Sequence, residues 1–155
     1  MDWLLDLFTN PYLITALSSW AVAQVAKTII HLIVNKKLDI NRLFGDGGMP
    51  SGHSATVVSL AVVTGLINGT GSAIFALAAI FALIVCHDAK GVRRETGKQA
   101  VILNDLIELL SLPMKDGKQR DVKLKEFVGH TPVQVFVGAL VGAANAVIMY
   151  NIFFK

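Results

Sequence analysis

Charge is scarce in this sequence. Only 16% of its 155 residues are Asp, Glu, Lys or Arg, against about 25% in an ordinary soluble domain. Cysteine is scarcer still: the single Cys86 excludes an internal disulfide, and with it a disulfide-stapled secreted scaffold. It sits inside an apolar run and reads as packing. The opening Met1-Asp2-Trp3-Leu4-Leu5-Asp6-Leu7-Phe8 lacks a basic flank, so it does not read as a signal peptide. It reads as an interfacial turn before Pro11, with Trp3 at headgroup level. No internal repeat or low-complexity tract is present, and a net charge of +3 gives no indication of a nucleic-acid partner.

Hydrophobic residues, by contrast, make up 54% of the chain. They gather in runs of bilayer-crossing length, and the length corresponds to one domain over residues 1–155. Four spanning helices are expected, at about 12–34, 54–67, 72–87 and 132–154. The second and third are short of the ~20-residue standard. They are joined by Asn68-Gly69-Thr70-Gly71, a turn signal that suits a tight helical hairpin. From Gln99 to Leu112 apolar residues alternate at helical spacing with a polar stripe of Asn104, Asp105, Glu108 and Ser111, so an amphipathic surface helix is expected there. The fold class is therefore an all-α membrane bundle of about four spans plus one amphipathic helix.

Lys and Arg outside the spans fall almost wholly on one side. Segments 35–53 and 88–131 hold twelve of them, the N-terminus and hairpin turn none, and the C-terminus only Lys155. The positive-inside rule then puts both long loops in the cytoplasm of a cell-membrane protein. The polar residues collect on that side too. Gly47-Gly48-Met49-Pro50-Ser51-Gly52-His53-Ser54 precedes the second span, and Asp88-Ala89-Lys90-Gly91-Val92-Arg93-Arg94 follows the third. Lys125-Glu126-Phe127-Val128-Gly129-His130-Thr131-Pro132 precedes the fourth, and the stripe Gln24, Lys27, His31 lies on the first.

Two helices thus begin at one surface, each preceded by glycine and each bringing a histidine. Helix N-termini present unpaired N–H groups and a positive dipole end, which suits phosphate. Thr131 is a good N-cap and Pro132 a good first helical residue, which sets His130 just outside the helix mouth. Arg93 and Arg94 carry fork-shaped donors for phosphate oxygens. Each feature also has a plainer reading. Pro-Ser-Gly-His can be a capped turn, His130 an interfacial residue, and Arg93-Arg94 a contact to anionic headgroups. Asp88 can simply pair with an arginine. Lys27 can snorkel, although about 12 Å of helix separates it from Asn35. Gly138, Gly142 and Ala146 repeat every four residues, a close-packing face for use inside the bundle or in a homodimer.

Met49-Pro50-Ser51-Gly52-His53-Ser54 resembles the central motif of the superfamily of type 2 phosphatidic acid phosphatases and vanadium-dependent haloperoxidases. Together with Asp88–Arg94, Gly97–Ala100 and Gly129–Pro132, the chain more closely resembles a divergent branch of it, described as acid phosphatase/vanadium-dependent haloperoxidase related. The resemblance implies a metal-independent lipid-phosphate phosphatase with no cofactor. His53 would be general acid and His130 the nucleophile that forms a phosphohistidine. Ser51 and Gly52 would hold phosphate oxygens; the nearby cations Lys27, Arg93, Arg94 and Lys125 are further phosphate-binding candidates from their place in this chain, with Asp88 or Gln134 as candidates for orienting. Three features depart from the superfamily pattern, the first being Leu124 where an arginine is expected six residues before the second histidine, with Lys125 the nearest basic residue. Gln134 stands where an aspartate is expected four residues after the nucleophile, and the first motif (a lysine seven residues before Arg-Pro) has no match. The expected partners are membrane lipid and a lipid-phosphate substrate, with phosphatidylglycerophosphate or phosphatidic acid favoured. A non-catalytic lipid-phosphate binder or transporter is the alternative.

Overall fold

A computed structural model describes residues 2–36, 48–109, 124 and 130–154. Six helices make up the described structure: α1 (Asp2–Thr9), α2 (Pro11–Asn35), α3 (Gly52–Asn68), α4 (Ala73–Lys90), α5 (Val92–Leu109) and α6 (Pro132–Phe154). The helical stretches beginning at Pro11, Ala73 and Pro132 are long and apolar enough to cross a membrane, whereas the 17-residue α3 is shorter. Among the described residues there is no strand, and the chain is an all-α membrane bundle.

Each boundary has a local cause. Asn10 caps α2, its side-chain oxygen accepting from the Tyr12 and Leu13 N–H groups at 3.0 and 3.2 Å, with Pro11 in the first turn. Ser72 caps α4 through the Phe75 N–H at 3.2 Å. Gly69 ends α3 at φ 79°, a conformation that favours glycine, so the hairpin turn forms where the sequence places it. The amphipathic helix starts at Val92, seven residues before the expected Gln99, because Gly91 interrupts the chain only briefly after α4. Its expected last turn, residues 110–112, lies outside the described residues.

The bundle is built inside out relative to a soluble protein. Its interior is small and hydroxyl-rich, with Ala23, Ala55, Val63, Thr15, Ser19, Ser51, Ser54 and Ser59 fully buried. Large apolar side chains face outward instead, among them Ile33, Leu77, Leu83, Phe136 and Ile152. Such a surface needs a bilayer as its solvent, and small residues let the backbones approach. α3 is the central element, packed against α2, α4 and α6. On α6, a Cβ at Gly138 would overlap the Ser51 backbone, and one at Gly142 would lie 2.8 Å from the Ala55 Cα. The four-residue glycine repeat is therefore used inside the bundle, against α3, the first of the two uses the spacing allows. Asn145 adds a polar tie between α6 and α2, donating to the Ser18 and Ser19 hydroxyls at 2.9 and 2.7 Å.

Candidate functional site

α3 and α6 begin at the same end of the bundle and are bonded to each other there. The Ser51 N–H donates to the Gln134 carbonyl at 3.0 Å, joining the two helix mouths. Ser51 caps α3, its hydroxyl accepting from the Ser54 N–H at 3.3 Å and from the Ser54 hydroxyl at 3.0 Å. The Gly52 and His53 N–H groups then stand in the first turn, where a helix supplies no carbonyl partner. α4 ends beside them, and its Ala89 carbonyl accepts from the His130 N–H at 3.0 Å.

This arrangement brings the two histidines together. Their ring centroids lie 6.1 Å apart, edge to face at 62°, with His130 buried and His53 half-buried. Gln134 forms a capping box with Thr131. Its side-chain oxygen accepts from the Thr131 N–H at 3.0 Å, while its own N–H donates to the Thr131 hydroxyl at 3.3 Å. The same oxygen faces His130 Nδ1 at 3.3 Å. A backbone N–H can only donate, so the Gln134 atom at this point is the acceptor oxygen, and the hydrogen between it and the imidazole belongs to Nδ1. In the neutral ring that tautomer carries the lone pair on Nε2, the form a nucleophile needs. Thr131-x-x-Gln134 has the spacing of a capping box, a local signal that could have placed Gln134.

Lys27 comes to the site from α2. It is buried, its ammonium donates to the Gln24 side-chain oxygen at 2.6 Å, and its stem lies under Gly48. A Cβ on Gly48 would meet Lys27 Cγ at 3.2 Å, and Gly48 has φ 91°, so glycine is required there on two counts. The lysine therefore does not snorkel; it is held inward under the loop that leads to Ser51. Trp20, for which the sequence offered no role, lies against Gly52, with its Cδ1 3.4 Å from where a Cβ would stand. His31 is on α2 one turn beyond Lys27, and its buried Nδ1 has no hydrogen-bond partner among the described residues.

The remaining candidates are less fully drawn. Asp88 is half-buried, next to the Ala89 that bonds His130. Arg93 and Arg94 fall in the first turn of α5, directly after α4, and their side chains lie outside the described residues. Lys125 lies outside them altogether.

Fold and site together define a small helical membrane protein whose polar residues converge on two joined helix mouths, each with a histidine. The sequence matches the Divergent PAP2 family over residues 8–145, and the chain belongs to that family. It is 40% identical over 157 residues to "Uncharacterized membrane protein YuiD" of Bacillus subtilis (strain 168), covering 96% of this chain and 99% of that protein. No solved structure matches it.

Proposed function

We propose that this chain is a membrane lipid-phosphate phosphatase that works through a phosphohistidine, without metal or cofactor, on the cytoplasmic face. His130 Nε2 attacks phosphorus, and the bond from phosphorus to the leaving oxygen breaks as His53 gives that oxygen a proton. Water then attacks the phosphohistidine, His53 takes up its proton, and inorganic phosphate leaves with His130 restored. Ser51, the Gly52 and His53 N–H groups and the Lys27 ammonium would share the charge spread over the phosphoryl oxygens, with Arg93, Arg94 and Lys125 as further cations from the same loops. Gln134 orients His130 in place of the superfamily's carboxylate.

The observation that carries this reading is the pair of imidazoles 6.1 Å apart at joined helix starts, close enough for one phosphoryl group to contact both. Membership of the Divergent PAP2 family supports it. The one-sided distribution of Lys and Arg supports a cytoplasmic site. That favours phosphatidylglycerophosphate or phosphatidic acid over undecaprenyl diphosphate, which is released on the outer face. Gln134 is the observation that favours a second reading, a lipid-phosphate binder or transporter, since an amide offers an imidazolium no negative charge.

Phosphate release from these lipids in detergent, without added metal, separates the two. The phosphatase reading expects vanadate-sensitive release that falls by several orders of magnitude in both His53→Ala and His130→Ala. A folded protein that binds the lipids and releases nothing would establish the binder instead.

A further inference from the structure

α3 has four sides, and its neighbours cover three of them. Gly52 meets Trp20 and Gln24 of α2, Ser51 and Ala55 meet the glycines of α6, and Val57 and Ala61 pack with Ala78, Ala82 and Val85 of α4. α2 and α4 flank α3 without packing on each other, so its fourth side lies between them. His53 and Leu60, both half-buried, occupy that side, with the buried Thr64 one turn further along it, since steps of seven and four residues return to one face of a helix. Thr56, next to this line, ties its hydroxyl back to the Gly52 carbonyl at 2.8 Å and adds no unmet donor to it.

An open groove of about 460 Å³ lies in this gap, in the size range of small-molecule sites. Leu60 and Thr64 form its floor, Leu77, Ala78 and Phe81 one wall, and Leu13 the other. Its only strongly polar rim is at the hairpin end, where Asn10 and Tyr12 line it and the Tyr12 hydroxyl accepts from the Asn68 amide at 2.7 Å. By helix rise, Leu60 lies about 10 Å and Thr64 about 16 Å beyond His53. Half the hydrocarbon core of a bilayer is about 15 Å.

We propose that this groove holds the apolar tail of the same lipid whose phosphate the histidine end takes. The inference rests on the lipid-phosphate reading above and narrows it: the substrate carries a chain reaching about one leaflet's depth below its headgroup. The phosphate stays at the His53 mouth, and the tail runs along the uncovered face of α3, past Phe81, to Leu60 and Leu77. Continuity of one helix face from His53 to the groove floor commits the occupant to a single-tail path from the site, rather than to a second protein.

The test is photo-crosslinking of the full chain in nanodiscs. One probe is long-chain phosphatidic acid with a diazirine at the far end of one chain; the other is phosphatidylcholine with the same chain. The expected result is adducts concentrated on Leu60, Leu77, Ala78 and Phe81, several-fold stronger with phosphatidic acid. Ala78→Trp, which fills the groove, and Leu77→Trp, on its outer wall, should each weaken that signal several-fold while labelling of Leu140 and Ile148 on α6 stays constant. Equal labelling by both lipids, or adducts spread evenly between the groove and α6, would overturn the proposal. Labelling needs no turnover, so His130→Ala protein should give the same map. A protein that labels in the groove yet releases no phosphate would leave the groove standing and remove the phosphatase reading. One that releases phosphate but labels elsewhere would do the reverse.

Discussion

At the scale of single residues, Gln134 decides most. Its side-chain oxygen serves the Thr131 N–H and His130 Nδ1 at once, so it caps α6 and fixes the imidazole together. Gln134→Ala should lose about 1 kcal/mol of stability with the cap and about tenfold or more in phosphate release with the orientation. Gln134→Glu keeps an oxygen for both partners and adds a negative charge beside the ring. Its stability should match wild type, and its rate should equal or exceed it. Thermal unfolding and initial rates on the three proteins check this, and a Glu variant as slow as the Ala variant would show that orientation through this atom is unimportant. Lys27 is the complementary case. It is a buried cation held under Gly48, and on the proposed reading Lys27→Met would remove one charge-assisted contact to the bound phosphate. Such contacts contribute about 1.5–3 kcal/mol, so the Kd for vanadate should rise by about tenfold or more, as measured by titration calorimetry.

Among the elements, the α3–α6 contact sets the site. The mouths of the two helices can share the Ser51–Gln134 bond only because Gly138 and Gly142 let the backbones meet. Gly142→Ala would press a methyl against Ala55, and overpacking of this kind typically costs about 1–3 kcal/mol. Gly71→Ala, in the hairpin turn with nothing within 4 Å of its added Cβ, is the control. The first should lower the Tm and the rate together, the second neither. The sequence made this contact readable as a four-residue glycine repeat, but a repeat says only that a face packs closely and not on what. The start of α6 was legible from Thr131-Pro132, because caps are local chemistry, and Asn10-Pro11, Ser51 and Ser72 carry the same kind of local signal. The early start of α5 was not, because Val92–Lys98 is polar enough to read as loop and becomes helical by following directly on α4. Trp20 against Gly52 and Asn145 on Ser18 and Ser19 join residues distant in sequence, and no local pattern announces such pairs.

For the whole molecule, everything about the substrate follows from which side of the membrane the histidines face. Helix order and the hairpin already fix that Ser51, Ala89 and His130 share one end and that Asn68–Ser72 lies at the other. The bundle alone has no preference between the two sides, since its exposed apolar surface is much the same whichever way it is inserted. Charge supplies the preference: in the sequence, the segments joining the helices on the histidine side carry twelve Lys and Arg, against one, Lys155, on the hairpin side. In a Cys86→Ser background, Gly71→Cys should therefore react in intact cells with a membrane-impermeant maleimide. Lys90→Cys, at the end of α4 beside the site, should react only after the membrane is opened. The opposite pattern would put His53 and His130 on the outer face, where the phosphate of a cytoplasmic biosynthetic intermediate cannot reach them. The lipids to test would then be those released outside, undecaprenyl diphosphate first, with the same two histidines and the same chemistry.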